Sequence, residues 1–174
     1  MKKFNSFITI IMIAATTGAM AQKSATASSS ATIVAPIGIA QAANMSFGNV
    51  ATNAAGGTVV LTTGGTTSAT AGVTLPGDTG GNTGTITAAA FDVTGETGYT
   101  YSITLPDGDE ITLSDEDASN TMIVDNFVSD PSESGQLSGG TQTISVGAIL
   151  NVDGGQAAGT YTNETDLTVT VNYN

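Results

Sequence analysis

The last eight residues of the chain alternate strictly between apolar and polar side chains. One face of the implied strand holds Leu167, Val169, Val171 and Tyr173. A period of two residues is typical of a β-strand that has one face in a core and the other in water. Because no later strand follows, we expect the far edge of this strand to be open for pairing and a partner strand to cover these four residues. They are the predicted strand-pairing site.

Short strands separated by turn residues are predicted along the rest of the chain, and no helix is. Glycine and β-branched residues are frequent, and both disfavour helix. Between the strands lie turn signals such as Pro76-Gly77 and Gly154-Gly155. The predicted strands are 33–39, 45–47, 58–62, 68–75, 85–93, 99–105, 111–113, 121–128 and 143–152, with a polar loop through Pro131 and Gly135. This spacing predicts an all-β antiparallel sandwich.

The N-terminus has the features of an export signal. Lys2 and Lys3 precede an apolar run over residues 4–15, and Ala19-Met20-Ala21 offers a cleavage site before Gln22. The run is too short to cross a bilayer, so we expect no membrane span after cleavage. We therefore predict a signal peptide at 1–21, a mobile leader at 22–30 and one β-sandwich domain at 31–174. The protein would reach the periplasm, the cell surface or the medium.

The charge balance excludes two classes of partner. The chain holds three basic and 15 acidic residues, and signal cleavage would leave Lys23 as its one basic side chain. No basic patch can then neutralise phosphates, which excludes nucleic acid and anionic lipid surfaces. The acidity instead indicates a soluble, exposed protein.

The catalytic side chains are few. Histidine and cysteine are absent, so the commonest general base and the thiol nucleophile are missing. A pair of carboxylates could serve a glycosidase, and the candidate pairs are Asp92 with Glu96 and Asp107 with Glu110. Few aromatic residues are available to hold a sugar, so we interpret these acids as solvated loop residues and predict that the protein is not an enzyme.

Two acidic runs flank the short strand at 111–113. They are Asp107 to Glu110 and Asp115 to Asp117. Calcium prefers several oxygen ligands, which a tight hairpin could gather here, but the spacing matches no EF-hand loop. We interpret the runs as charged surface loops and predict no cofactor and no dedicated metal site, with weak calcium binding left open.

Several segments in combination resemble a secreted bacterial family. They are 31–39, 44–49, 91–95, 99–105, 122–127, 146–147 and 156–174. The family is the domain of unknown function numbered 4402. The resemblance covers nearly all of residues 22–174 and implies no established activity.

A more distant resemblance is to pilins of the chaperone–usher type. It rests on Phe47-Gly48, on Gly159-Thr-Tyr161 and on the penultimate Tyr173. This resemblance implies an incomplete immunoglobulin-like, pilin-like sandwich that a neighbouring subunit completes with a donated strand. The sequence departs from that pattern in having no cysteine pair and no large apolar residue over 22–30, so a donor would begin around 33–39.

Two classes of function follow. The first is a structural subunit of a surface filament or coat, with copies of itself or related subunits and a periplasmic chaperone as partners. The alternative is a self-contained, adhesin-like module that binds a glycan or calcium. Segment 33–39 discriminates between them, because burial in the chain's own groove favours the binding module and outward projection favours the filament.

The signal assignment predicts a mature protein that begins at Gln22. Intact-mass measurement of exported material should give the mass of residues 22–174. A mature chain that retains residues 1–21 would show the assignment to be wrong.

Overall fold

The structure, a computed structural model, describes residues 22–77, 84–106 and 110–174. The chain divides into two units, Met1–Ile33 and Val34–Asn174. Within the first unit, residues 22–33 are exposed and have no regular secondary structure. The second unit holds every described strand and begins at Val34, three residues after the predicted domain start.

The second unit is built from β-strands, and no helix occurs among its described residues. The strands are β1 Gly38–Ala43, β2 Ser46–Phe47, β3 Ala51–Thr52, β4 Gly57–Leu61, β5 Thr67–Ala69, β6 Val73–Thr74, β7 Ile86–Thr87, β8 Ala89–Thr94, β9 Thr100–Thr104, β10 Glu110–Ser114, β11 Thr121–Asp130, β12 Ser134–Gln136, β13 Thr141–Val152 and β14 Thr170–Tyr173.

The long strand β13 organises the largest sheet, which has seven strands. The main path runs β1-β8-β13-β11-β10, and β4 and β5 extend the sheet from the second half of β13. On one side, β13 pairs first with β8 and then with β4. On its other side it pairs with β11. All these pairs are antiparallel, as are those of the three-stranded sheet β12-β9-β14 and of the pairs β2-β7 and β3-β6. The prediction of an all-β antiparallel fold is confirmed.

Alternate side chains of β13 form the centre of the core. Its buried hydrophobic residues are Ile144, Val146, Ala148, Leu150 and Val152. The three-stranded sheet contributes Tyr101 and Ile103 from β9 and Val171 from β14 to the same core cluster. Each Val, Leu or Ile side chain among them contributes on the order of 1.5–3 kcal/mol when fully buried. The core therefore holds the two sheets together.

A glycine in β12 makes room for a fully buried tyrosine. A Cβ atom on Gly135 would lie 2.4 Å from Cζ and Oη of Tyr101 and 2.4 Å from Oε1 of Gln142. Tyr101 Oη donates to that Gln142 oxygen at 2.8 Å, and the Gln136 N–H donates to it at 2.9 Å. Burial raises the pKa of the Tyr101 phenol, which favours its protonated, donating form. These bonds tie the three-stranded sheet to β13.

Strand β12 lies within the segment predicted to be a polar loop. Its sequence, Ser-Gly-Gln, has no apolar alternation, so the pattern gave no strand signal. The strand forms because β9 offers a pairing edge and because Gly135 can approach the Tyr101 ring.

The first predicted strand, 33–39, is wrong over residues 33–37. The ladder begins at Gly38, where β1 pairs with β8, and not at Ile33. Ile33 is 98% exposed. Pro36 lacks an N–H, and the Ala35 N–H donates to Glu96 Oε2 at 3.0 Å instead of to a neighbouring strand.

The contact beneath Gly135 predicts that Gly135→Ala lowers the free energy of unfolding by about 1–3 kcal/mol, because the new methyl group overpacks Tyr101. The matched control is Gly64→Ala, where the nearest atom to a new Cβ is 3.7 Å away. Chemical denaturation of both variants checks this. Equal stabilities would contradict the packing role of Gly135.

Candidate strand-pairing edge

Strand β14 is an edge strand of the three-stranded sheet. It pairs with β9, with Thr170 opposite Thr104 and Val171 opposite Ile103. The Asn174 N–H continues the ladder by donating to the Thr100 carbonyl at 3.2 Å. Hydrogen bonds of an antiparallel pair alternate along the strand. The main-chain groups of Val171 and of Tyr173 therefore point away from β9, and no described strand pairs with that side.

The apolar face of the terminal segment is covered by the chain's own core. Val169 is 7% exposed and Val171 is 8% exposed. Leu167 and Tyr173 are partly buried against the same core. The four predicted site residues thus share one face, as the alternation indicates, although the ladder itself begins at Thr170. A partner strand would meet the main-chain edge and not the side chains that we expected it to cover.

The hydroxyl of Tyr173 joins three parts of the second unit. Tyr173 Oη accepts the Glu96 N–H at 2.6 Å and donates to the Ala35 carbonyl at 2.9 Å. Glu96 Oε2 in turn accepts the Ala35 N–H at 3.0 Å. We call Ala35, Glu96 and Tyr173 the Tyr173 cluster. It links the terminal strand to the turn after β8 and to the residues before β1.

The surroundings of the Tyr173 ring are shaped to accept it. A Cβ atom on Gly95 would come within 2.3 Å of Tyr173 Oη. The Tyr99 ring meets the Tyr173 ring edge-on, with centroids 5.6 Å apart and an interplanar angle of 61°. Tyr173 is therefore a structural residue of the monomer, in addition to carrying outward main-chain groups at the edge.

Two of the three described carboxylates of the candidate glycosidase pairs, Asp92 and Glu96, accept hydrogen bonds within the fold. Asp92 Oδ1 accepts the Thr143 hydroxyl at 2.7 Å across the β8–β13 ladder, and Glu96 belongs to the Tyr173 cluster. Glu110 begins β10 and lies opposite Asp125 on β11. Asp107 lies outside the described residues. Asp92 also lines a cavity of about 300 Å³ whose other walls are Thr94, Thr141, Gln142 and Thr143.

The second acidic run forms the turn between β10 and β11. Asp115 Oδ1 accepts the N–H groups of Ser119 at 2.8 Å and of Asn120 at 3.2 Å, and Oδ2 accepts the Asn120 side-chain amide at 2.6 Å. These bonds, above all those from Asn120, hold the pKa of Asp115 below its usual value. The carboxylate is therefore engaged in holding the turn.

The structure describes only part of the two acidic runs that are calcium candidates, namely Glu110 and Asp115 to Asp117. Asp107 and Asp109 lie outside that part. Among residues 22–77, 84–106 and 110–174, no group of three or more His, Cys, Asp or Glu side chains could hold a metal ion. The same ranges contain no helix of the length and apolar character needed to cross a membrane.

The Tyr173 cluster predicts that Tyr173→Phe lowers the free energy of unfolding by about 1–3 kcal/mol, because two hydrogen bonds are lost and the Glu96 N–H and Ala35 carbonyl lose their partner. Tyr99→Phe is the control, since the neighbouring Tyr99 hydroxyl lies outside the cluster. Thermal and chemical denaturation should separate the two variants. Equal losses would show that the cluster contributes nothing.

The family model described as Domain of unknown function (DUF4402) matches residues 37–173. No curated protein and no solved structure matches the chain. The matched range runs from the residue before β1 to the last residue of β14, so it includes every described strand. The chain therefore belongs to the family described as Domain of unknown function (DUF4402).

Proposed function

We propose that the protein is an exported, non-enzymatic structural subunit of a bacterial surface filament or coat that assembles by β-strand addition. The observation that carries the proposal is the outward main-chain edge of β14. An edge strand with unpaired N–H and C=O groups is a template for a further strand. Its partners would be copies of itself or related subunits, with a periplasmic chaperone bound before assembly.

The arrangement of the two larger sheets supports an immunoglobulin-like, pilin-like sandwich as the finer description of the fold. The seven-stranded and three-stranded sheets share one core. Edge strand β1 of the first approaches edge strand β14 of the second along one side. Because Val169 and Val171 already fill the core there, an added strand would need main-chain groups and small side chains.

One observation favours the alternative, a self-contained binding module for a glycan or calcium. Ile37 packs against the core and Ile39 lies opposite Val93 in the ladder of β1 with β8. The end of segment 33–39 thus lies within the chain's own sheet, although Ile33 is 98% exposed and Ile39 37% exposed. The filament proposal is still preferred because the far side of β14 has no described partner strand even with β1 in place.

Like charges placed on the edge test the proposal. Thr170 and Asn172 are exposed, so Thr170→Glu combined with Asn172→Asp should change the free energy of unfolding by no more than about 0.5 kcal/mol. The variant should nevertheless fail to form the assemblies that wild-type protein forms, as judged by electron microscopy and sedimentation.

Thr112→Glu is the control, because Thr112 is an exposed residue on β10, a different edge strand. It should assemble as the wild type does. Unchanged assembly of the Thr170→Glu/Asn172→Asp variant would contradict strand addition at β14. A wild-type protein that stays monomeric and binds a glycan would favour the alternative.

A further inference from the structure

The two larger sheets have several edge strands, and most of them are guarded against further pairing. The edge strands are β1, β5 and β10 in the seven-stranded sheet and β12 and β14 in the three-stranded sheet. Natural proteins guard edges with bulges, prolines, charges or covering segments. The guards found here show which edges can take part in strand addition.

Strand β10 is covered by a later segment of the chain. The Ser114 N–H donates to the Thr162 carbonyl at 3.0 Å, and the Thr162 N–H donates back at 2.9 Å. The Asn163 side-chain amide donates to the Thr112 carbonyl at 2.8 Å. The ladder with β11 directs the main-chain groups of Thr112 and Ser114 outward. These bonds therefore occupy much of the edge that a second strand would need.

Strands β12 and β1 are guarded in other ways. On β12, the Gln136 N–H donates to Gln142 Oε1 and the Ser134 N–H donates to the Ser132 carbonyl. The ladder of β1 has an irregularity between Gln41 and Ala43, and Pro36 precedes it. Bulges and prolines both interrupt the pairing of an edge.

No comparable guard appears on β5 within the described residues. The Thr70 N–H donates to the Thr58 carbonyl at 3.0 Å and the Thr62 N–H donates to the Thr66 carbonyl at 2.9 Å. Hydrogen-bonded and non-hydrogen-bonded residues alternate along the ladder of β5 with β4. The main-chain groups of Thr67 and Ala69 therefore point away from β4. On β14 the main-chain groups of Val171 and Tyr173 likewise point away from β9. Strand β1 approaches β14 on one side, but the two strands do not pair.

The distribution of charge favours a second copy of the chain as the partner. All 15 acidic residues lie between Asp78 and Asp166, so residues 24–77 and 167–174 have no charged side chains. Strands β5 and β14 both fall in these stretches, as does the guarded strand β1. Copies with such an excess of acid repel one another in general, and they repel least where uncharged edges meet.

We propose that β14 of one copy pairs antiparallel with β5 of a second copy. In this register Val171 lies opposite Ala69, and Asn172 lies opposite Ser68. The faces agree, because Val171 and Ala69 pack against the core while Asn172 and Ser68 are exposed. Each copy offers both edges, so the contact is heterologous and can repeat into an open chain. This inference rests on the proposed function and names the surface that receives β14.

The proposed ladder between β14 and β5 joins only a few residues of each copy. Self-association should therefore be weak, and assembly should require concentrated protein. Salt should strengthen it, because counterions screen the repulsion between the acidic parts of the copies.

A charge pair across the proposed ladder tests the register. Directly opposite side chains lie about 4.5–5.5 Å apart at Cβ. Asn172→Asp combined with Ser68→Asp should weaken self-association about fivefold at each contact, whereas Asn172→Asp combined with Ser68→Lys should restore it to the wild-type value. Sedimentation over a range of protein and salt concentrations gives the association constants, and thermal melting confirms that every variant is folded.

The control Ala158→Asp/Thr160→Asp adds the same charge as the first variant at exposed sites away from both edges, and should associate more strongly than that variant. If Asn172→Asp weakens association and no Ser68 substitution alters it, β14 pairs elsewhere and the assignment of β5 is wrong while strand addition stands. If the wild type is monomeric at every concentration and salt, the proposed function and this inference both fail.

Discussion

The pairing of β13 on both of its sides is the constraint on which the rest of the structure depends. One strand of twelve residues bonds to β8 and β4 on one side and to β11 on the other. Its inward residues form the centre of the core, which also receives side chains from the three-stranded sheet. With no cysteine to cross-link the chain, stability must come from these ladders and from burial. The bond from Tyr101 to Gln142 adds one specific tie between the sheets.

The edge strands of the two larger sheets differ in what keeps them from pairing with a further strand. A protein rich in short strands must keep its edges from pairing indiscriminately. Here the guards differ from edge to edge: the 162–163 segment covers β10, side-chain and local main-chain bonds engage β12, and a ladder irregularity interrupts β1. The acidic residues, confined to the stretch from Asp78 to Asp166, leave β5 and β14 uncharged. Strands β5 and β14 thus combine the absence of charged side chains with an edge that no described strand pairs.

Tyr173 has two roles that must be kept apart. Its ring and hydroxyl are committed to the monomer through Gly95, Glu96 and Ala35, whereas its main-chain groups lie on the outward edge. Loss of assembly after removal of this residue would therefore not identify the edge as the cause. Substitutions at the exposed positions 170 and 172 separate edge pairing from folding, because they leave the Tyr173 cluster and the core intact.

The sequence by itself determined the strand class, the approximate place of most strands and the inward face of the terminal segment, because a period of two residues is a local property. It also determined the charge balance and the resemblance to the family, which the match to residues 37–173 confirms. Only the tertiary structure decided that β12 exists, that Ala35 bonds to Glu96 and Tyr173 instead of to a strand, and that Asp115 holds a turn. It also decided which edges are guarded. The main reason is distance along the chain: Ala35 meets partners 61 and 138 residues away, and no local pattern encodes which segment will lie beside which.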